Sequence, residues 1–103
     1  MKIELKKEPD YLSVKVLGHA KDSKCCHGIS SLLWSLLSWA ANSDKAEAEE
    51  YDFKSGDSYI KVKGCSKDIS DFMEWAFCQY AYNYDDITYR IMQDGQTTEN
   101  KKT

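Results

Sequence analysis

A basic excess is the first thing this chain lacks: 14 lysines and arginines stand against 17 aspartates and glutamates over 103 residues, a formal net charge of -3. General nucleic-acid binders draw affinity from a basic stripe that displaces counterions from phosphates, so no direct nucleic-acid binding is expected. Lys2, Lys6, Lys7, Lys61 and Lys63 do fall on segments that read as strands, which leaves room for a local contact with a nucleoprotein. Long apolar runs are missing too. The longest near-apolar stretch, Ile29 to Ala41, is broken by serines and is shorter than the roughly 20 residues that cross a bilayer. At the N-terminus, MKIELKKEPD has no apolar centre of the kind a secretory signal needs. A cytoplasmic protein without a membrane partner is expected on these grounds.

Metal-ligand spacing is absent as well. Cys25, Cys26, Cys65 and Cys78, taken with His19 and His27, include no pair at the C-x2-4-C separation of structural zinc. No metal and no cofactor are therefore expected. The adjacent pair Cys25-Cys26 also lacks the C-x-x-C spacing of a thiol redox centre. In a reducing cytoplasm the four cysteines would stay free rather than form a disulfide framework. No internal repeat or linker divides the chain, and its length supports one hydrophobic core, not two.

What is present is a run of short periodic segments. Residues 2–6 (KIELK) alternate and residues 11–17 (YLSVKVL) are β-rich, with Glu8-Pro9-Asp10 as turn material between them, a hairpin pattern. From Cys26 or His27 to about Ala41, the residues Ile29, Leu32, Leu33, Leu36, Leu37 and Ala40 recur at helical spacing. Residues 42–50 are polar and read as an exposed link. Two short strands, 51–54 and 58–63, flank Ser55-Gly56-Asp57. Ser66 suits an N-cap, and a second helix to about Tyr82 faces inward through Ile69, Phe72, Met73, Ala76 and Tyr80. Residues 87–92 (ITYRIM) close the pattern as a strand. The order is β-β-α-β-β-α-β, a two-layer α+β domain over residues 1–93 with a mixed sheet covered by two helices. Residues 94–103 show no periodicity and read as a flexible tail.

Reactive residue types concentrate between the second strand and the first helix, in Gly18-His19-Ala20-Lys21-Asp22-Ser23-Lys24-Cys25-Cys26-His27-Gly28. A cysteine in the first helical turn meets the positive end of the helix dipole and unpaired N–H groups, which favour the attacking thiolate. A nearby imidazole can hold that thiolate and later protonate a leaving amine. Amides near residues 26–28 would serve as an oxyanion hole. Gly28 would let a backbone or substrate come close. The plain reading of the same residues is two small thiols packed at a helix cap, with surface histidines. From these residues alone, the choice among the Cys–His pairs stays open.

This stretch resembles the ribosomal-processing cysteine peptidase (Prp-like) family. That family carries Gly-His-Ala at the end of its second strand, then a loop, then a helix opening with Cys, two small residues, Val or Ile, Ser, a small residue and Leu. Here Gly18-His19-Ala20 and Cys26-His27-Gly28-Ile29-Ser30-Ser31-Leu32 match. The resemblance implies Cys26 as nucleophile, His19 as general base and acid, and Ser30 as a supporting hydroxyl. Asp22 is a further supporting candidate, lying three residues before Cys25 and four before Cys26. His27 replaces a normally small residue. The loop between His19 and Cys26 is shorter than the family's glycine-rich one. The family trims a short N-terminal extension from the precursor of ribosomal protein L27. A protein substrate, either that precursor or a phage protein, and a homodimer are what the resemblance implies. A catalytically inactive member that binds a ribosomal or phage protein is the alternative.

The remaining residues read plainly. Trp34, Trp39, Phe72, Trp75 and Phe77 suit a core or a subunit interface, and Cys65 and Cys78 suit structural positions. Glu47, Glu49, Glu50 and Asp52 form a solvated acidic face with the capacity to attract a basic segment.

Overall fold

The computed structural model describes residues 1–100. Its elements are β1 (Lys2–Glu8), β2 (Tyr11–Leu17), α1 (Ser23–Asn42), β3 (Glu47–Lys54), β4 (Asp57–Lys63), α2 (Lys67–Asn83), β5 (Thr88–Gln93) and β6 (Gln96–Glu99). The six strands form one sheet in the order β3-β4-β2-β1-β5-β6. Neighbours run antiparallel except β1 and β5, which are parallel. This is the mixed sheet with two helices that the sequence pattern predicts.

Alternation along each strand decides which side is covered. Ile3 and Leu5 of β1, Leu12 and Val14 of β2, and Ile60 and Val62 of β4 are fully buried, and strand geometry sends them all to one face. On that face α1 packs against β3 and β4, α2 packs against β1 and β5, and the two helices touch. Leu36 of α1 and Phe77 of α2 meet no solvent, each contributing about 1.5–3 kcal/mol through burial.

One inward position is not apolar. Lys7 continues the Ile3, Leu5 row and is buried, where an unpaired ammonium would be costly. Its Nζ donates to Asp71 Oδ1 at 2.6 Å and Glu74 Oε1 at 2.9 Å, both from α2. Lys67 reaches the other Asp71 oxygen at 2.7 Å. Burial pulls the Lys7 pKa down, and its two carboxylate partners more than offset that, leaving it raised.

Two strands differ from the sequence expectation. β3 begins at Glu47 within the segment read as a link. It is an edge strand, irregular between Ala48 and Glu50, and its mostly exposed polar residues give little periodic signal. β6 lies in the segment read as an aperiodic tail. Asp94 (φ 53) and Gly95 (φ 76) both adopt the left-handed conformation and join Gln93 to its partner Gln96, the two-residue hairpin that Asp-Gly favours. Asn100 Oδ1 then accepts the Tyr89 N–H at 2.6 Å. Residues 101–103 of that tail lie outside the described residues. Among the described residues, no helix is long and apolar enough to cross a membrane.

Candidate active site

Three ties shape the segment that joins β2 to α1. Gly18 leaves β2 with φ +81, and its N–H donates to the Gly56 carbonyl at 2.9 Å, fastening the end of β2 to the β3–β4 turn. The Lys21 N–H donates to Asp86 Oδ2 at 2.7 Å. That hydrogen bond, with smaller help from the Met1 ammonium, holds the Asp86 carboxyl below its ordinary range. Asp22 then caps α1, its Oδ1 accepting the Lys24 N–H at 2.9 Å and its carbonyl the Cys25 N–H at 3.0 Å.

The cap places the helix start at Ser23, not at Cys26 or His27. Cys26 is therefore at the end of the first turn. The helix then takes up the His27 and Gly28 N–H groups in its i to i−4 ladder, so these two amides are not free to receive an oxyanion, while the Asp22 carbonyl is held by the Cys25 N–H. For those two amides the expectation is corrected by Asp22, whose capping carboxylate starts the helix early.

Cys26 points back along the helix, as helical side chains do. Its Sγ accepts the Ala20 N–H at 3.3 Å, and the thiol donates to the Ala20 carbonyl oxygen at 3.7 Å. An N–H aimed at sulfur is a contact that a thiolate accepts more strongly than a thiol. Cys25, one residue earlier and turned about 100° around the helix, is buried in the core. There it meets the Tyr84 hydroxyl, whose pKa is raised chiefly by that hydrogen bond.

Cys26, His19 and Ser30 line one open cleft of about 130 Å³. Its opposite wall is the β3–β4 turn, Lys54 to Ser58. His19 is exposed, and a Cβ built on Gly56 would stand 3.0 Å from its Nε2. The absence of a side chain at Gly56, which has φ +78, therefore serves both the turn and the imidazole. The other sequence candidates lie elsewhere. Asp22 is occupied as the helix cap, and His27 is exposed on α1 away from the cleft lining. Gly28 faces α2, where any Cβ would run into the Tyr80 hydroxyl. The close approach it permits is that of a tyrosine from the neighbouring helix.

Sequence reading missed the second wall and the tether. Lys54 read only as the end of a strand and Asp57 only as a turn residue, and Asp86 carried no motif. Pairing of β4 with β2 brings Asp57 to the cleft and pairing of β3 with β4 sets Lys54 beside it, and no local spacing announces that.

No family model and no curated protein matches the chain. Solved structures do resemble it. The essential ribosomal processing protease Prp from S. aureus, in complex with a covalently linked product peptide, aligns over 88% of this chain and 96% of its own, with TM-score 0.62 and 16% identity. SMU.848 from Streptococcus mutans aligns over 88% and 94%, with TM-score 0.60 and 13% identity. At such identities a likeness speaks for the fold alone: this chain has a Prp-like fold.

Proposed function

We propose that the protein is a cysteine endopeptidase with Cys26 as nucleophile and His19 as general base and acid. The observation that carries this reading is their meeting in one open cleft, with the Ala20 N–H on the sulfur. The Cys26 thiolate would attack a peptide carbonyl, forming the C–S bond. Collapse breaks the C–N bond as the His19 imidazolium gives its proton to the leaving amine. Water, losing a proton to His19, then releases the acyl group and restores the thiolate. Ser30, one turn beyond Cys26, is a supporting hydroxyl on the same helical stripe. The proposed substrate is a protein segment, either the N-terminal extension of a ribosomal protein L27 precursor or a phage protein. The cytoplasmic setting read from the sequence and the homodimer implied by the resemblance complete the proposal. The product peptide held by the S. aureus protease supports a peptide as ligand.

A second reading has its own observation. With the amides of His27 and Gly28 taken up by the helix, two of the three expected oxyanion donors are lost. This favours a non-catalytic binder of the same kind of protein segment.

The pH dependence of Cys26 alkylation, followed by intact mass and peptide mapping in wild type and H19A, separates the two. The peptidase reading expects fast alkylation at neutral pH and a rate curve displaced to higher pH in H19A. A slow thiol indifferent to His19 would transfer the conclusion to the binder.

A further inference from the structure

Three exposed or half-exposed aromatic rings extend the cleft. Cys26, Ser30 and Trp34 recur at i, i+4 and i+8 on α1, so Trp34 continues the stripe that begins at the sulfur. Trp34 is 58% exposed and Tyr51 58% exposed, unusual for rings of this size. Phe53 meets Trp34 edge-on, with ring centroids 5.0 Å apart, and Tyr51 lies 6.0 Å from Phe53. Tyr51 and Phe53 share the helix-covered side of β3, since they pair with Ile60, which is fully buried, and Ser58. Ser58 of the cleft lining pairs directly with Phe53 across β3 and β4, and Ser30 of the lining stands one helical turn before Trp34. The aromatic surface is thus continuous with the cleft.

From this continuity we infer that Trp34, Phe53 and Tyr51 form a specificity subsite for an apolar side chain of an extended peptide lying in the cleft. Eight helical residues advance about 12 Å, so an extended chain reaches the rings about three to four residues from the carbon that meets Cys26. The occupant is an aromatic or large aliphatic side chain, because an open edge-to-face pair offers apolar faces and no charge to satisfy. The inference rests on the peptidase reading only for the identity of the reacting carbon. Seating of a side chain by the rings needs no catalysis.

Peptide probes that alkylate Cys26 test it directly. One set carries a C-terminal chloromethyl ketone and the other an N-terminal acryloyl group, with phenylalanine walked outward through an otherwise alanine sequence. The expected result is a labelling rate on the order of tenfold higher when phenylalanine stands about three to four residues from the warhead in one set. W34A and F53A should remove that gain while leaving alkylation by iodoacetamide unchanged. Thermal melts confirm folding, and W34F, which keeps a ring, should retain most of the gain. No gain at any position, or a gain that survives both alanine variants, overturns the subsite. A change of oligomeric state in W34A with no positional gain also overturns it, assigning the rings to a contact between copies. If H19A leaves iodoacetamide alkylation unchanged, the dyad fails separately, and the positional gain still decides the subsite.

Discussion

Cys25 and Cys26 are neighbours in the chain and opposites in environment. The helical turn between them sends one thiol to the core and the other to the cleft. Peptide mapping after brief iodoacetamide treatment of the native protein at pH 8 should find Cys26 alkylated first. Cys78 should be among the last, because burial, helped by the Glu74 charge, pushes its pKa up to about 12. Burial raises Cys65 as well. Equal alkylation of Cys25 and Cys26 would contradict the placement of the two thiols. Asp22 offers a second check at this scale. Its carboxylate accepts the Lys24 N–H, so D22A should lose about 1 kcal/mol, the usual cost of losing an N-cap, while D22S keeps most of it. If Asp22 instead acted on the thiol, D22S would change the pH profile of Cys26 alkylation despite normal stability.

At the scale of elements, the contact between α1 and α2 turns on Gly28. In an exposed helix interior, Gly to Ala is stabilising by up to about 1 kcal/mol. Here the added methyl collides with the Tyr80 hydroxyl, and overpacking of this kind costs about 1–3 kcal/mol. G28A should therefore be destabilised in urea unfolding, and Y80F should relieve part of the loss in the double variant. A G28A protein as stable as wild type, with unchanged Tyr80 resonances in NMR spectra, would remove the collision from the account. The strand–loop–helix link has a comparable dependence on Asp86, which holds the Lys21 N–H. D86A should slow Cys26 alkylation by loosening the segment between His19 and Asp22, measured by the same mapping experiment and by hydrogen exchange at Lys21.

Across the whole molecule, the end of the sheet remote from the cleft is joined to α2 through charge. The Asp71 carboxyl is held down at about 2, chiefly by Lys67 and then by Lys7, from an ordinary 3.8. A carboxyl lowered on folding contributes stability that is fully present above its unfolded pKa and is lost as pH falls through the folded one. The stability gap between wild type and D71N should be constant above about pH 4 and close as pH falls toward 2. Urea midpoints across that range measure it, and a gap that persists below pH 2 would assign the effect to packing instead. Lys7, with its raised pKa, has the opposite sign: its contribution is present below the ordinary 10.5 and fades as pH rises beyond the folded value.

Much of this fold is written locally. Alternation in 2–6 and 11–17 and the spacing of Ile29, Leu33, Leu36 and Ala40 specify strands and helix because each apolar row must reach a core. The proximity of a histidine and a cysteine at a strand end and a helix start is equally local. β6 was legible in principle, since Asp94-Gly95 marks a tight hairpin, but its exposed polar residues have no row to align. Tertiary structure alone decided the rest. Which thiol meets solvent depended on where Asp22 started the helix and which side the sheet covered. Strand pairing supplied the far wall of the cleft from Lys54 to Ser58, helix packing filled the space at Gly28 with Tyr80, and the same packing left Trp34 beside Phe53. These are contacts between residues distant in the chain, and they are set by the register and docking of whole elements, which no short motif encodes.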